Sequence, residues 1–358
     1  MFKTRIDKFM DLRSRAGVEA FFVTKPENRY YLSGFTGTAG ALLLCLSGAY
    51  LLTDFRYLEQ AQQQSPHFTV IDATESLIDK LDELVREKKV TSLGYDGDHL
   101  SYNEFLKLKD RLVSIDLKPA SGLVEELRLI KDSAEIKNIE EAVRLSDRAI
   151  EQVRPQIKPG VTEREIALRL EFAMREMGAE GVAFETIVAS GPRSALPHGV
   201  ASVRTIQSGD LVTMDFGAVY CGYHSDITRT VVVGEPASWQ SEIYSIVLEA
   251  QLRAVKAVCA GVKASVVDRA ARALIAGRGY AEYFGHGTGH GLGLEIHENP
   301  RLSKKGETVL RAGMVVTVEP GIYLPGRGGV RIEDTVLVLE SGCRVLTKTP
   351  KMSLEILS

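Results

Sequence analysis

Four carboxylates and a run of glycine-flanked histidines are the residues of this sequence whose types and spacing could do chemistry. In residues 211–233, LVTMDFGAVYCGYHSDITRTVVV, two strand-like runs surround a turn near Tyr220 and Cys221. Centring the turn between those two makes Asp215 oppose Asp226. Opposed side chains on one face of an antiparallel pair start about 5 Å apart at Cβ. Alternation sends Val212, Met214 and Phe216 to one side and Thr213 and Asp215 to the other, so the acids take the polar side of a half-buried ribbon. A cation there would stabilise both in ionised form.

The pattern recurs in residues 315–339, VVTVEPGIYLPGRGGVRIEDTVLVL, about a Gly- and Pro-rich loop centred near Gly326. Glu319 then opposes Glu333, and Arg331 shares the face of Glu333. Two acid-bearing ribbons suggest a pseudo-repeat enclosing one site. Between them lies YFGHGTGHGLGLEIHENPR, residues 283–301, whose glycines allow close backbone approach around each imidazole. It fits GxGxxG in no register and lies in no βαβ unit, which excludes a nucleotide loop. Of seven histidines, His198, His224, His286, His290 and His297 fall within one hundred residues.

Four acids with one or two imidazoles form an oxygen-rich, hard donor set. It favours Mn, Co or Zn and is unlike a thiolate zinc site. Four acids can bridge two divalent ions about 3.5–4 Å apart. One acid on a strand is usually only solvated. It is the repeated opposition, with histidine between, that argues for function.

The positioning elements follow from pattern and length. With 358 residues, 44% hydrophobic, the chain divides into two domains. The division is drawn as 1–122, α/β, and 123–358, carrying the acids, with the charged stretch 125–132 at the junction. Strands are expected at 20–24, 41–46, 50–53 and 92–95, and helices at 75–87 and 102–112. Asp132 with Glu135, and Thr162 with Glu165, are capping-box starts for helices running to about Val153 and Met177. Beyond Val182 the texture is β-branched strands with one long helix over 240–259.

A net charge of -3 gives no pull toward nucleic acid or an anionic membrane. The N-terminal residues lack the apolar core of a secretory signal, and residues 39–52 are too short to span a bilayer. Cys45, Cys221, Cys259 and Cys343 form no CxxC pair, so neither a thiolate metal site nor a disulfide framework is expected. The default is a reducing, cytoplasmic setting.

At MDFGA (214–218), SDITRT (225–230), GHGLGLEIHE (289–298), VEPGIY (318–323) and VRIEDT (330–335), the sequence resembles the pita-bread metallopeptidases, and within them the Xaa-Pro peptidases, aminopeptidase P and prolidase. RYYLSGFTG (29–37) and TDFRY (53–57) resemble the creatinase-type N-terminal domain that accompanies them. The resemblance implies an α+β fold with a C-terminal pita-bread domain and a smaller N-terminal α/β creatinase-like domain. It implies two divalent metals, manganese first, on Asp215, Asp226, His290, Glu319 and Glu333, with Asp215 bidentate and Glu333 spanning both. His198 and His297 would flank the substrate, and Arg301 could grip a dipeptide carboxylate.

The expected reaction is hydrolysis of the bond between an N-terminal residue and proline in a short peptide, by a metal-bridging hydroxide. Glu319 would move the proton, and Arg331 would orient Glu333 or close the site. A homodimer is also implied. Methionine aminopeptidases share the ligands but pair their last Glu with His, where this chain has Glu333 followed by Asp334. An amidinohydrolase would not need all the acids, and a non-catalytic binding module would have lost one. Plainer readings hold elsewhere. His286 would buttress the glycine run, Arg204 and Arg229 would be ion-pair partners, and Trp239 a packing residue.

Overall fold

In the computed structural model, which describes residues 2–358, the chain separates into two compact units, Met1–Arg128 and Leu129–Ser358. The first is built on a six-stranded sheet. Its spatial order is Thr69–Asp72, Gly48–Thr53, Ala41–Cys45, Ala20–Val23, Ser92–Tyr95 and Asp116–Pro119. Residues 39–52 form the hairpin that their apolar runs foretold, with Cys45 opposite Gly48. Their alternate side chains fill a core with Leu81, Leu84 and Val85, from the helix Leu77–Glu87, and Leu93.

The second unit follows the capping signals. Asp132 and Glu135 close a capping box on the helix Ser133–Val153, and Thr162 and Glu165 do so on Glu163–Glu176. Each box satisfies backbone donors that have no partner inside the helix. These helices share a hydrophobic cluster with a four-stranded sheet ordered Glu355–Leu357, Ile227–Val233, Leu211–Phe216 and Ile187–Ser190.

A second cluster joins two further helices, Ser238–Ala257 and Ala264–Gly277, to the strands Val315–Val318 and Asp334–Val338. Only the first of these helices was expected. The second has Lys263 at its N-cap and no side-chain cap, so the usual start signal is missing. Its buried Val267, Ala271, Leu274 and Ile275 nonetheless keep the helical period.

One register differs from expectation. The first acid ribbon turns at Cys221 and Gly222, both with positive φ (47° and 74°). A two-residue turn of that twist matches the strands it joins. The centre therefore moves by one residue, and Asp215 opposes Thr228 rather than Asp226. The second ribbon has the expected register, with Val318 opposite Asp334 and Gly321 opposite Arg331. Nor is the acid face of the first ribbon open to water, for Thr213 is buried there, bonded to Thr230 at 3.1 Å.

Candidate metal centre

The four acids and His290 converge because five short segments end at one place. Asp215 lies on the strand Leu211–Phe216, Asp226 immediately before Ile227–Val233, and His290 within Gly289–Gly291. Glu319 and Glu333 occupy the gaps between the two ladders of the second ribbon. Donor atoms of Asp226, His290 and Glu333 lie within 4.8 Å of one another, and all three residues are buried. His290 Nε2 stands 3.4 Å from Asp226 Oδ2 and 3.5 Å from Glu319 Oε1. Asp215 lines the same cleft as Asp226, His290 and Glu319.

The donor chemistry fits divalent metal. His290 Nδ1 lies 3.0 Å from the Gly291 carbonyl, and with the proton held there the Nε2 lone pair faces the carboxylates. That is the usual second contact of a metal-binding imidazole. Asp215 Oδ1, Asp226 Oδ1 and Glu333 Oε1 are buried without any hydrogen-bond partner. Unpartnered buried carboxylate oxygens are costly, so three in one cluster point to a cation. Burial, then the charges of Asp215 and Glu319, hold Asp226 well above the ordinary carboxylate range. Glu333 is raised by burial and then by Asp226, Glu319 and Asp215.

Around the cluster, hydrogen bonds fix the carboxylates. Arg331, 3% exposed, reaches Asp215 Oδ2 at 2.6 Å, the Tyr323 hydroxyl at 2.8 Å and Thr228 Oγ1 at 3.0 Å. Its direct acidic partner is thus Asp215. It touches Glu333 only through Thr228, which donates to Glu333 Oε2 at 2.7 Å. Although burial works against its charge, Tyr323, Asp215 and Glu319 keep Arg331 cationic. Burial pushes Tyr323 up to about 12, so its phenol stays protonated. Its oxygen accepts from Arg331, and its hydroxyl meets His286 Nε2 at 2.8 Å.

Thr228, Tyr323 and Thr317 escaped the sequence reading. Thr317 Oγ1 accepts from the His290 amide at 3.1 Å. The available signal was position, since Thr228 and Thr317 lie two residues from Asp226 and Glu319 and so on the same strand face.

A cleft of about 560 Å³ opens onto this centre. Asp215, Asp226, His290, Glu319 and Arg331 line it, while buried Glu333 lies outside the lining. His198, His297 and Arg301 are in the same wall with His286 and Ser303. Phe184, Ile187, Pro197, Val200 and Ile296 supply an apolar side. His297 packs edge-on against His290, ring centroids 4.4 Å apart. Partial burial of its ring, with His290 and Arg301 beside it, lowers its pKa to about 4, so it is neutral near pH 7. His224 faces elsewhere, with Nδ1 3.2 Å from the Gly293 carbonyl. Arg204 and Arg229 pair with Asp210 and Asp334 at 2.6 and 2.9 Å, and Trp239 packs at the edge of the second core under Arg327.

Residues 137–340 match metallopeptidase family M24, and residues 5–130 match the creatinase/prolidase N-terminal domain. The chain belongs to metallopeptidase family M24. As an M24 member it is a hydrolase of a divalent-metal family, with a creatinase-type N-terminal domain ahead of the pita-bread domain. It is 45% identical to an Xaa-Pro dipeptidase of Pyrococcus furiosus over 98% of this chain and 99% of that one. The solved Xaa-Pro dipeptidase from Bacillus anthracis is 48% identical, with a TM-score of 0.98 over all of both chains. An X-Pro aminopeptidase from Thermotoga maritima is 42% identical, with a TM-score of 0.91 over 98% of this chain and 99% of that one. Cys221, Cys259 and Cys343 are not among the residues lining the cleft, and no helix among the described residues is long and apolar enough to cross a membrane.

Proposed function

We propose that this chain hydrolyses the bond between an N-terminal residue and proline, with dipeptides as its preferred substrates, using two divalent cations on Asp215, Asp226, His290, Glu319 and Glu333. The observation that carries the metal reading is the set of unpartnered buried oxygens on Asp215, Asp226 and Glu333 beside His290 Nε2. The substrate reading is supported by whole-length similarity to named Xaa-Pro dipeptidases. Manganese is the favoured metal, and a cytoplasmic homodimer the favoured state.

When bound, the cations would acidify water and polarise a carbonyl oxygen, the two requirements for attacking an amide at neutral pH. The chain's own residues do the rest. Glu319 is half-buried at the cleft surface, steadied by Thr317 Oγ1 at 3.4 Å. It accepts the proton of the attacking water and returns it to the departing proline nitrogen. His297, neutral at pH 7, donates to the oxygen on which charge develops, and His198 on the same wall assists. Arg301 meets the free carboxylate of a dipeptide. The apolar side offers the pyrrolidine ring a dry contact.

The test is an assay of manganese-loaded protein on Xaa-Pro dipeptides and Xaa-Pro-Yaa tripeptides. Turnover chiefly of dipeptides, with Arg301→Ala raising KM for dipeptides more than for tripeptides, is the expected result. Turnover chiefly of tripeptides would make the chain an aminopeptidase. No turnover of either, with metal bound, would end the substrate reading and leave the metal reading intact.

A further inference from the structure

The glycine run that carries His286 and His290 is held from behind by one turn of helix. In Ala264–Gly277, Asp268 and Arg272 lie four residues apart, and the guanidinium forks onto the carboxylate with contacts of 2.8 and 2.7 Å. The same guanidinium donates to the Phe284 carbonyl at 2.9 Å and the His286 carbonyl at 2.6 Å. Its carbon sits 4.1 Å from the Phe284 ring centroid. Asp268, 1% exposed, also accepts from the Thr288 amide at 3.2 Å and the Thr288 hydroxyl at 2.9 Å. Residues 284–288 are therefore held at three backbone points.

Two of the held points, His286 and Thr288, lead onward to the acid cluster. The His286 ring contacts the Tyr323 hydroxyl at 2.8 Å, and Tyr323 accepts from the arginine that pairs with Asp215. The Thr288 carbonyl accepts the Glu319 amide at 2.7 Å. The segment has one further backbone tie, the Thr288 amide to the Leu302 carbonyl at 2.7 Å, while at Gly285 a side chain would meet nothing within 4 Å and glycine restrains its backbone least.

We propose that Asp268 and Arg272 are a positioning pair for the candidate metal centre, fixing residues 284–288 so that Thr288 and His286 set the places of Glu319 and Tyr323. Only a planar guanidinium spans one carboxylate and two carbonyls at once, so lysine is a poor replacement. Charge-assisted bonds to the carbonyls supply the rigidity that glycine does not. The kinetic arm of the test rests on the proposed peptidase activity, whereas the metal arm does not.

Arg272→Lys, Arg272→Gln and the milder Thr288→Val, each in the full chain, are stripped of metal and titrated with manganese by calorimetry. Melting temperatures and Xaa-Pro dipeptide kinetics are read alongside. Both Arg272 variants should bind manganese about 10–100-fold more weakly, the usual consequence of disturbing the groups behind metal ligands. kcat should fall more than KM rises, and Arg272→Lys should keep most of the melting temperature. Thr288→Val, which keeps the backbone amide and removes only the hydroxyl contact, should lose affinity in the same direction and to a smaller extent. Wild-type manganese affinity in these variants, with only the melting temperature lowered, would reduce the pair to fold support and overturn the proposal. Failure of the wild type on Xaa-Pro peptides would count against the proposed function alone, because the calorimetric comparison stands without it.

Discussion

Arg331→Met removes the one cation built into the acid cluster, and its cost can be worked from the contacts. The guanidinium is 3% exposed and bonds Asp215 at 2.6 Å, where the carboxylate side chain is itself only 14% exposed. Taking one partner from a buried ion pair costs about 3–5 kcal/mol, because the other charge stays behind uncompensated. Asp215 keeps some access to water through the cleft, which favours the lower end. Tyr323 keeps His286, and Thr228 keeps Glu333, so these two neutral acceptors add about 1 kcal/mol at most. Metal-free protein should therefore lose about 3–4 kcal/mol in urea unfolding. With saturating manganese the loss should shrink, since a cation on Asp215 does what the guanidinium did. Asp215→Asn in the Arg331→Met background should restore part of the metal-free stability, and the double-mutant cycle isolates that coupling. A metal-free loss below about 1 kcal/mol, or an equal loss with and without metal, would refute the reasoning, because an exposed pair contributes no more than that.

Glu333→Gln removes a carboxylate that its neighbours destabilise. It should raise the melting temperature of metal-free protein at pH 8 while abolishing stabilisation by manganese; a lowered metal-free melting temperature would contradict the crowding of the acids. Asp226 and Glu333 also fix the sign of the pH response. Their folded-state pKa values lie above the unfolded value of about 4, so their stabilisation is fully present below that value and lost as pH rises through the raised ones. Relative to Glu333→Gln, chelated wild-type protein should thus lose stability as pH rises from about 4 in urea unfolding, and manganese should flatten the difference. His297→Ala should lower kcat by about 10²–10³-fold, the range for removing one donor to a developing oxyanion. Unchanged kcat would assign His297 to packing against His290.

Much of the second unit was legible because its signals are local. The two capping boxes need only residues three apart, and both formed as read. The helix Ala264–Gly277 was not found, because it begins without a side-chain cap and its stabilisation lies in packing against Ser238–Ala257. Propensity and caps are weak where tertiary burial decides. The hydrogen-bonded surroundings of the site were illegible for a related reason. Tyr323 and Thr228 each meet Arg331 from a different strand, and Asp268 meets Thr288 across twenty residues, so no spacing rule announces them.

The misplaced register explains why the acid face could be read correctly while its pairing was not. Moving the turn from between Tyr220 and Cys221 to between Cys221 and Gly222 shifts every cross-strand partner by two residues. Side chains alternate with period two, so such a shift leaves each residue on its own face. Asp226 stays on the side of Asp215 and meets it diagonally, while Thr228, two residues on, takes the opposed place and bonds Glu333 and Arg331. A slip of one residue would instead have turned Asp226 toward Met214 and Phe216 in the core. Face is thus set by the hydrophobic period along the whole strand, whereas pairing hangs on two residues whose φ turns positive, one of them a cysteine that carries no turn signal in the sequence.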